Sequence, residues 1–218
     1  MGYNVAIDGP AGAGKSTIAK LVAKEKGYIY VDTGAMYRGM AIHFLDKGIR
    51  AKETDKIISA LKDAEVTIRY EEGLQQVYLN GRNITDRLRE EEVGKMASLT
   101  SAIPQVRQKL LELQKGLART QDVIMDGRDI GTCVLPDADV KIYLTASVET
   151  RAKRRYDELT EKGIACDLNE IARDIKERDE RDSTREIAPL KQAEDAVLVD
   201  SSHMTIEEVV AAIVKLCR

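Results

Sequence analysis

The residues most clearly arranged for chemistry lie near the amino terminus, in the stretch Gly9-Pro10-Ala11-Gly12-Ala13-Gly14-Lys15-Ser16. This stretch has the spacing G-x-x-x-x-G-K-[ST] of a phosphate-binding P-loop. Its glycines would let backbone N–H groups surround phosphate oxygens, and the following helix would direct its positive end at them. Lys15 would reach the β- and γ-phosphates, and the Ser16 hydroxyl would bind Mg²⁺. A glycine turn without a ligand is the alternative. The apolar run before the loop and the helical spacing after it favour a site for a nucleoside triphosphate.

A second informative stretch runs from Asp122 to Asp129 and reads Asp-Val-Ile-Met-Asp-Gly-Arg-Asp. A short apolar strand that ends in Asp126 is typical of the carboxylate that lies near Mg²⁺ in P-loop enzymes, here through a water molecule. Gly127 permits a sharp turn, after which Arg128 and Asp129 would emerge beside the P-loop. A purely structural turn is the alternative, but a phosphate site at the same sheet edge favours a functional role.

Arg38 is a candidate for holding the group that accepts a phosphate. The polar residues Asp32-Thr33-Gly34 follow a predicted strand, at the sheet edge where α/β proteins bind ligands. A helix predicted from about Ala35 carries Arg38 in its first turn, where a cation opposes the helix dipole. The local sequence leaves an ordinary surface arginine equally open.

Two helices within residues 151–185 carry many charges. The first holds Arg151, Lys153, Arg154 and Arg155, which form either a solvated face or part of a lid over the donor phosphates. The second begins at a predicted cap at Asp167 and has an apolar stripe that continues into charged residues on the same face. The apolar residues of the stripe are Leu168, Ile171 and Ile175, and the charged ones are Arg178, Arg181, Asp182 and Arg185. Because buried guanidiniums need anionic partners, we expect either a bound nucleotide or pairing with carboxylates of the same helix.

The remaining elements alternate strands and helices, which indicates an α/β fold. Residues 63–86 alternate apolar and polar side chains and contain Asn80-Gly81, which predicts a small antiparallel insert of three strands. Pro104 opens a further helix, near which Ser98 and Arg107 could face a cleft. The predicted core positions of that helix are Val106, Leu110, Leu113 and Leu117.

Composition excludes several classes of protein. The chain has 218 residues, which suits a single domain over 1–218, and a net charge of −3, which argues against nucleic acid as a partner. Its three cysteines, Cys133, Cys166 and Cys217, fit a reducing compartment, and its two histidines share no ligand spacing. No signal peptide or membrane-spanning run is visible, so we expect a cytoplasmic monomer without a membrane partner.

Four separated motifs resemble those of the bacterial cytidylate kinases, a branch of the nucleoside monophosphate kinases. They are Ile7–Lys15, Asp32–Arg38, Asp126–Thr132 and Arg178–Arg185, in the order of the family. The resemblance spans nearly the whole chain. It implies a P-loop kinase fold, in which a parallel sheet is flanked by helices, with a nucleotide-monophosphate-binding insert at 63–86 and a helical lid at 151–185. It also implies transfer of a phosphoryl group from ATP to CMP or dCMP, with Mg²⁺ as the cofactor.

The resemblance also implies roles for single residues. Lys15, Arg128 and Arg185 would be catalytic. The ATP site would comprise Gly9, Pro10, Ala11, Gly12, Ala13, Gly14, Lys15, Ser16, Thr17 and Arg154. In the CMP site, Arg38, Arg128 and Arg185 would grip the phosphate, Arg178 and Asp182 would lie near the sugar, and Ser98, Arg107 and Asp129 would read the base. Thr33 stands where many members have serine and keeps the hydroxyl, and Ser16 supplies a hydroxyl where some members have glycine.

The chemistry of cytosine agrees with this base-reading set. Cytosine donates from N4 and accepts at N3 and O2, so a carboxylate, an arginine and a hydroxyl complement it. Uracil would place an acceptor against Asp129 and leave the carboxylate unpaired. A kinase for UMP or a non-nucleotide acid remains the alternative within enzymes. A nucleotide-dependent switch is the alternative from another class, although neither N-K-x-D nor D-x-x-G occurs in the chain.

Overall fold

A computed structural model describes residues 2–218 as eight strands and eight helices. The strands are β1 Asn4–Asp8, β2 Ile29–Asp32, β3 Val66–Glu71, β4 Leu74–Leu79, β5 Arg82–Asn83, β6 Val123–Gly127, β7 Val140–Thr145 and β8 Val197–Asp200. The helices are α1 Lys15–Lys26, α2 Thr33–Asp46, α3 Thr54–Ala60, α4 Glu91–Thr100, α5 Pro104–Thr120, α6 Val148–Glu161, α7 Leu168–Thr184 and α8 Ile206–Val214. A short π-helical turn, Ile130–Val134, follows β6. No helix among residues 2–218 is both long enough and apolar enough to cross a membrane.

The larger sheet has five strands in the order β2-β6-β1-β7-β8, with β1 in the centre. β1 pairs in parallel with β6 and β7, and β7 pairs in parallel with β8. Val5, Ala6 and Ile7 of β1 are completely buried, as expected for a parallel strand covered on both faces. The register sets Asp8 beside Gly127 and Tyr143, so the ends of the three strands meet at one edge. The predicted parallel sheet is confirmed.

The core on one side of this sheet is built from apolar residues of β1 and β7 and of helices α1 and α8, which pack together. It includes Ile7, Ile18, Val22, Ile142, Leu144, Val209 and Ile213. A capping box begins α8, since the Thr205 side chain accepts from the Glu208 N–H and the Glu208 carboxylate accepts from the Thr205 N–H. This layer fixes the direction in which α1 leaves the P-loop.

The predicted antiparallel insert is also confirmed, as a sheet of order β3-β4-β5. Its two turns each have consecutive residues with positive φ, Glu72-Gly73 at 52° and 77° and Asn80-Gly81 at 49° and 79°. That conformation matches the twist of a two-residue hairpin. The buried face of the insert packs on α2, where a Cβ on Gly39 would lie 3.3 Å from a Val77 methyl carbon.

The chain divides into two compact units. The first contains the chain up to Tyr30 together with Gln121–Arg218, and the second is Val31–Thr120. The three strands of the insert lie inside 63–86, whereas the compact unit that contains them is longer than this range and spans Val31–Thr120. The boundaries 63–86 for a subdomain and 151–185 for a lid therefore stay predictions.

Two predicted helix faces need correction. In α5, Gln114 and Ala118 are buried while Leu113 and Leu117 are only half-buried, because the inward stripe follows a spacing of four from Val106. In α7, the inward face is narrower than the sequence indicated. Leu168 is 40% exposed and Arg181 is exposed, whereas Asp182 is buried.

Candidate active site

The P-loop connects β1 to α1 within the first unit. Three of its positions require glycine for structural reasons. Gly9 has φ 150°, and a Cβ there would lie 1.9 Å from the Leu144 carbonyl oxygen on the neighbouring strand β7. Gly12 and Gly14 have φ 76° and 86°, in the left-handed region that glycine adopts without strain. Gly14 directly precedes α1, so the helix begins at Lys15 and Thr17 lies exposed in its first turn.

Lys15 is buried beneath this loop. Its Nζ donates to the Pro10 carbonyl oxygen at 2.7 Å, which holds the ammonium against the loop backbone. Burial lowers the pKa of Lys15 well below its ordinary value, and the nearby charge of Arg128 lowers it further. A cation so deprived of water is strongly stabilised by an anion such as a phosphate. The contact of Lys15 with the β- and γ-phosphates stays a prediction.

Ser16 and Asp126 bring two oxygen donors together beside the P-loop. The Ser16 hydroxyl donates to Asp126 at 2.8 Å, and the Tyr30 hydroxyl contacts the other carboxylate oxygen at 3.0 Å. A hydroxyl and a carboxylate are hard oxygen ligands of the kind that Mg²⁺ prefers together with substrate phosphates and water. The residues therefore fit the predicted metal. No cluster of three or more His, Cys, Asp or Glu side chains that could hold a metal by itself occurs among residues 2–218.

Asp8 supports the turn that follows β6. Its two carboxylate oxygens accept from the backbone N–H groups of Ile130 and Gly131 at 2.8 and 2.7 Å. The side chain is buried, and desolvation raises the pKa of Asp8 to about 6 although both N–H bonds oppose the shift. Asp129 directly precedes the two donors, so Asp8 fixes the backbone that presents Asp129.

Two ion pairs connect this turn with the charged end of α7. Arg128 Nε donates to Asp182 at 2.9 Å, and Arg185 Nη2 donates to Asp129 at 3.2 Å. Both side chains of the second pair are 7% exposed. The structure thus brings together four of the predicted site residues. Arg178 lies half-buried one turn before Asp182 on α7.

Of the two alternatives left open for the cations of α6, the solvated face does not hold for Arg151, which is buried. Its guanidinium is buried and donates to the carbonyl oxygens of Ala146 and Ala11 at 2.8 and 2.9 Å. It also pairs with Asp179 of α7 at 2.6 Å, while Asp179 accepts from the Ala11 N–H at 3.3 Å. Both α6 and α7 are therefore tied to the backbone of one P-loop residue.

The other cations of that run, Lys153, Arg154 and Arg155, are exposed. Arg154 donates to the carbonyl oxygen of Ser201 at 2.8 Å and reaches the Ser201 hydroxyl at 3.3 Å. The guanidinium therefore lies at the end of β8. The assignment of Arg154 to the ATP site stays a prediction.

In the second unit, the start of α2 arranges Thr33 and Arg38. Asp32 caps the helix by accepting from the Ala35 N–H at 2.9 Å, so the helix begins at Thr33 rather than Ala35. Arg38 consequently lies in the second turn, where it opposes the helix dipole less than expected. Its guanidinium is 3.9 Å from the Asp32 carboxylate, and Thr33 is buried.

Ser98 and Arg107 lie on two further helices of the second unit, α4 and α5. Arg107 stands over the ring of Tyr37 at 5.8 Å and donates to the Ser101 carbonyl oxygen at 3.4 Å. Ser98 is half-buried, and its carbonyl oxygen accepts from the Ser101 hydroxyl at 3.0 Å. The base-reading roles of these residues stay predictions.

Sequence reasoning missed four residues that support the predicted ones: Asp8, Gln75, Arg151 and Asp179. A signal existed for Arg151, because it stands three residues after Val148 and beside Ala152, on the predicted buried side of α6. Asp8 ends the strand before the P-loop, where a buried carboxylate is unusual. For Gln75 and Asp179 the sequence carries no comparable signal.

Comparisons with known proteins agree with this geometry. A family model described as cytidylate kinase matches residues 5–218. A cytidylate kinase of Caldicellulosiruptor saccharolyticus is 51% identical and covers 98% of this chain and 94% of that protein. A cytidylate kinase of Lactobacillus johnsonii is 49% identical and covers 97% of this chain and 92% of that protein. Among solved structures, an uncharacterized protein from Eubacterium ventriosum shares the fold, with a TM-score of 0.54 at 11% identity over 98% of this chain and 96% of that one. The chain therefore belongs to the cytidylate kinase family.

Proposed function

We propose that the protein transfers the terminal phosphoryl group of ATP to CMP or dCMP, which yields ADP and CDP or dCDP. The observation that carries this proposal is the full-length membership in the cytidylate kinase family, with relatives of that name about half identical in sequence. The P-loop geometry around Lys15 supports the donor half of the reaction independently.

ATP would bind along Gly9–Thr17, with Arg154 as a further contact. Mg²⁺ would be held by Ser16 directly and by Asp126 through water, and it would neutralise charge on the β- and γ-phosphates when bound. The hydrogen bond between these two side chains supports this role, because it holds both oxygens at one place before any metal arrives.

CMP would bind through three groups of residues. Arg38, Arg128 and Arg185 would hold its phosphate, Arg178 and Asp182 its sugar, and Ser98, Arg107 and Asp129 its base, with Thr33 beside them. The pairs Arg128–Asp182 and Arg185–Asp129 support this assignment, because each arginine is kept in place by a carboxylate of the same proposed site.

The chain's own residues would act by position and charge. The attacking phosphate oxygen is already an anion, so no strong general base is required. Lys15, Arg128 and Arg185 would stabilise the charge that spreads over the transferred group. Helices α6 and α7, which contain most of the predicted lid 151–185, would exclude water and so suppress hydrolysis of ATP.

We further propose that the protein acts as a cytoplasmic monomer, without nucleic acid or membrane as a partner. Its net charge of −3 supports the absence of a nucleic-acid partner. Its three cysteines are all free, which supports a reducing compartment.

The proposal is tested by measuring ADP release in a coupled assay with Mg²⁺ and ATP. CMP, dCMP, UMP, AMP and GMP are compared as acceptors at equal concentration. We expect CMP and dCMP to be used at least about 100-fold more efficiently than UMP, since uracil would leave Asp129 unpaired. Equal use of UMP would contradict the base-reading assignment, and turnover with none of the five would contradict the proposed function.

A further inference from the structure

Gln75 connects the antiparallel insert to the segment that begins α2. The Asp32 N–H donates to Gln75 Oε1 at 2.9 Å, and Gln75 Nε2 donates to the Asp32 carbonyl oxygen at 3.2 Å. The side-chain amide thus pairs with both backbone groups of one residue, 43 positions earlier in the chain. Only glutamine and asparagine offer a donor and an acceptor in this arrangement.

Asp32 is in turn bound to the residues that follow it. Its carboxylate caps α2 through the Ala35 N–H and lies 3.9 Å from the Arg38 guanidinium. Gly34 lies between them, because a Cβ there would be 3.1 Å from Asp32 Oδ1 and 3.4 Å from Arg38 Nη1. A shift of the Asp32 backbone would therefore move the group against which Arg38 rests.

We propose that Gln75 is a positioning residue for acceptor binding, and that it acts by holding Asp32 and, through it, Arg38. This inference rests on the proposed role of Arg38 in gripping the CMP phosphate. By this route the insert contributes to affinity for the phosphate through Asp32 and Arg38. The direct bonds to the backbone make the effect specific to this side chain, not to the insert in general.

The neighbouring glutamine provides a matched control. Gln76 points to the other face of β4, since successive side chains alternate along a strand. Its Oε1 accepts from Asn83 Nδ2 at 3.2 Å, a bond that stays within the insert. Both glutamines are half-buried. Replacing Gln76 therefore perturbs the insert to a similar degree without touching Asp32.

The test compares Gln75→Leu and Gln75→Glu with Gln76→Leu. Leucine removes both hydrogen bonds, and glutamate keeps the acceptor but turns an oxygen towards the Asp32 carbonyl group. We expect KM for CMP to rise roughly tenfold in both Gln75 variants, with KM for ATP within about twofold of the wild type, because misplaced contacts weaken only the substrate that they hold. The Gln76 variant should behave as the wild type does.

Binding measured by calorimetry separates positioning from a general structural effect. Because Arg38 contacts the phosphate, the Gln75 variants should lose affinity for CMP while their affinity for cytidine stays unchanged. An equal loss for CMP and cytidine, or the same loss in Gln76→Leu, would overturn the inference. If the wild type neither binds nor phosphorylates CMP, the proposed function fails and this inference fails with it. If the wild type uses CMP and the Gln75 variants bind CMP as well as the wild type does, only this inference is refuted.

Discussion

The buried carboxylate of Asp8 predicts a measurable dependence of stability on pH. Burial raises its pKa from 3.8 to about 6 in the folded protein, so folding favours its protonated form. The stability that this group contributes is therefore fully present below pH 3.8 and is lost as the pH rises through 6. Linkage between these two pKa values gives the folded protein about 1 kcal/mol of additional stability on going from about pH 7 to about pH 5.

The variant Asp8→Asn removes this titration and keeps the size of the side chain. It also loses one acceptor for the N–H groups of Ile130 and Gly131, which lowers stability by about 1–3 kcal/mol independently of pH. Urea unfolding of wild type and variant at both pH values yields two stability differences. The change in this stability difference between the two pH values reports on Asp8 alone, because the other carboxylates titrate in both proteins. We expect the wild type to gain about 1 kcal/mol over the variant at the lower pH. A constant difference, or a change of opposite sign, would refute the reasoning.

Three further substitutions test the proposed site and its support. Lys15→Ala should lower kcat by about 10³-fold, since it removes a charge beneath the transferred group, and near-normal turnover would disprove the role of the P-loop lysine. Asp129→Ala should raise KM for CMP by about tenfold or more while KM for ATP changes little, and equal losses for both nucleotides would argue against base reading. Arg151→Met should lower the free energy of unfolding by about 3 kcal/mol, because it leaves the Asp179 carboxylate without its partner. Adding Asp179→Leu should restore part of the lost free energy of unfolding, as measured by urea denaturation. A further decrease in the free energy of unfolding would contradict the importance of the pair.

Much of the fold follows from short-range patterns. The glycine spacing of the P-loop predicted a strand before it and a helix after it, and β1 and α1 lie there. Asn80-Gly81 predicted a tight hairpin turn, because both residues tolerate positive φ, and the angles bear this out. Apolar spacing located α5 but misjudged its buried stripe by one position, where Gln114 replaces Leu113. Such errors arise because the buried face of a helix depends on the elements that pack against it, and the sequence does not reveal these elements.

The candidate site was harder to predict, since its charges pair over long distances. The sequence left open whether carboxylates on α7 would neutralise the arginines of the same helix. In the structure, Asp182 pairs with Arg128 after β6, and Arg185 pairs with Asp129. The position of Arg151 three residues after Val148 was a signal for burial, but nothing in the sequence identified Ala11 and Asp179 as its partners.

The sequence by itself determined the features that depend on contiguous residues: the phosphate-binding loop, the hairpin turns, the helix caps and the family. These depend on φ preferences and on side chains within one or two turns, so neighbouring residues suffice. Only the tertiary structure decided which supporting groups hold the site. Asp8 reaches the N–H of Ile130 across 122 positions because β1 and β6 lie side by side in register. Gln75 reaches Asp32 because the insert packs on α2. Such contacts depend on the packing of whole elements. This packing supplies the side chains that support the predicted site.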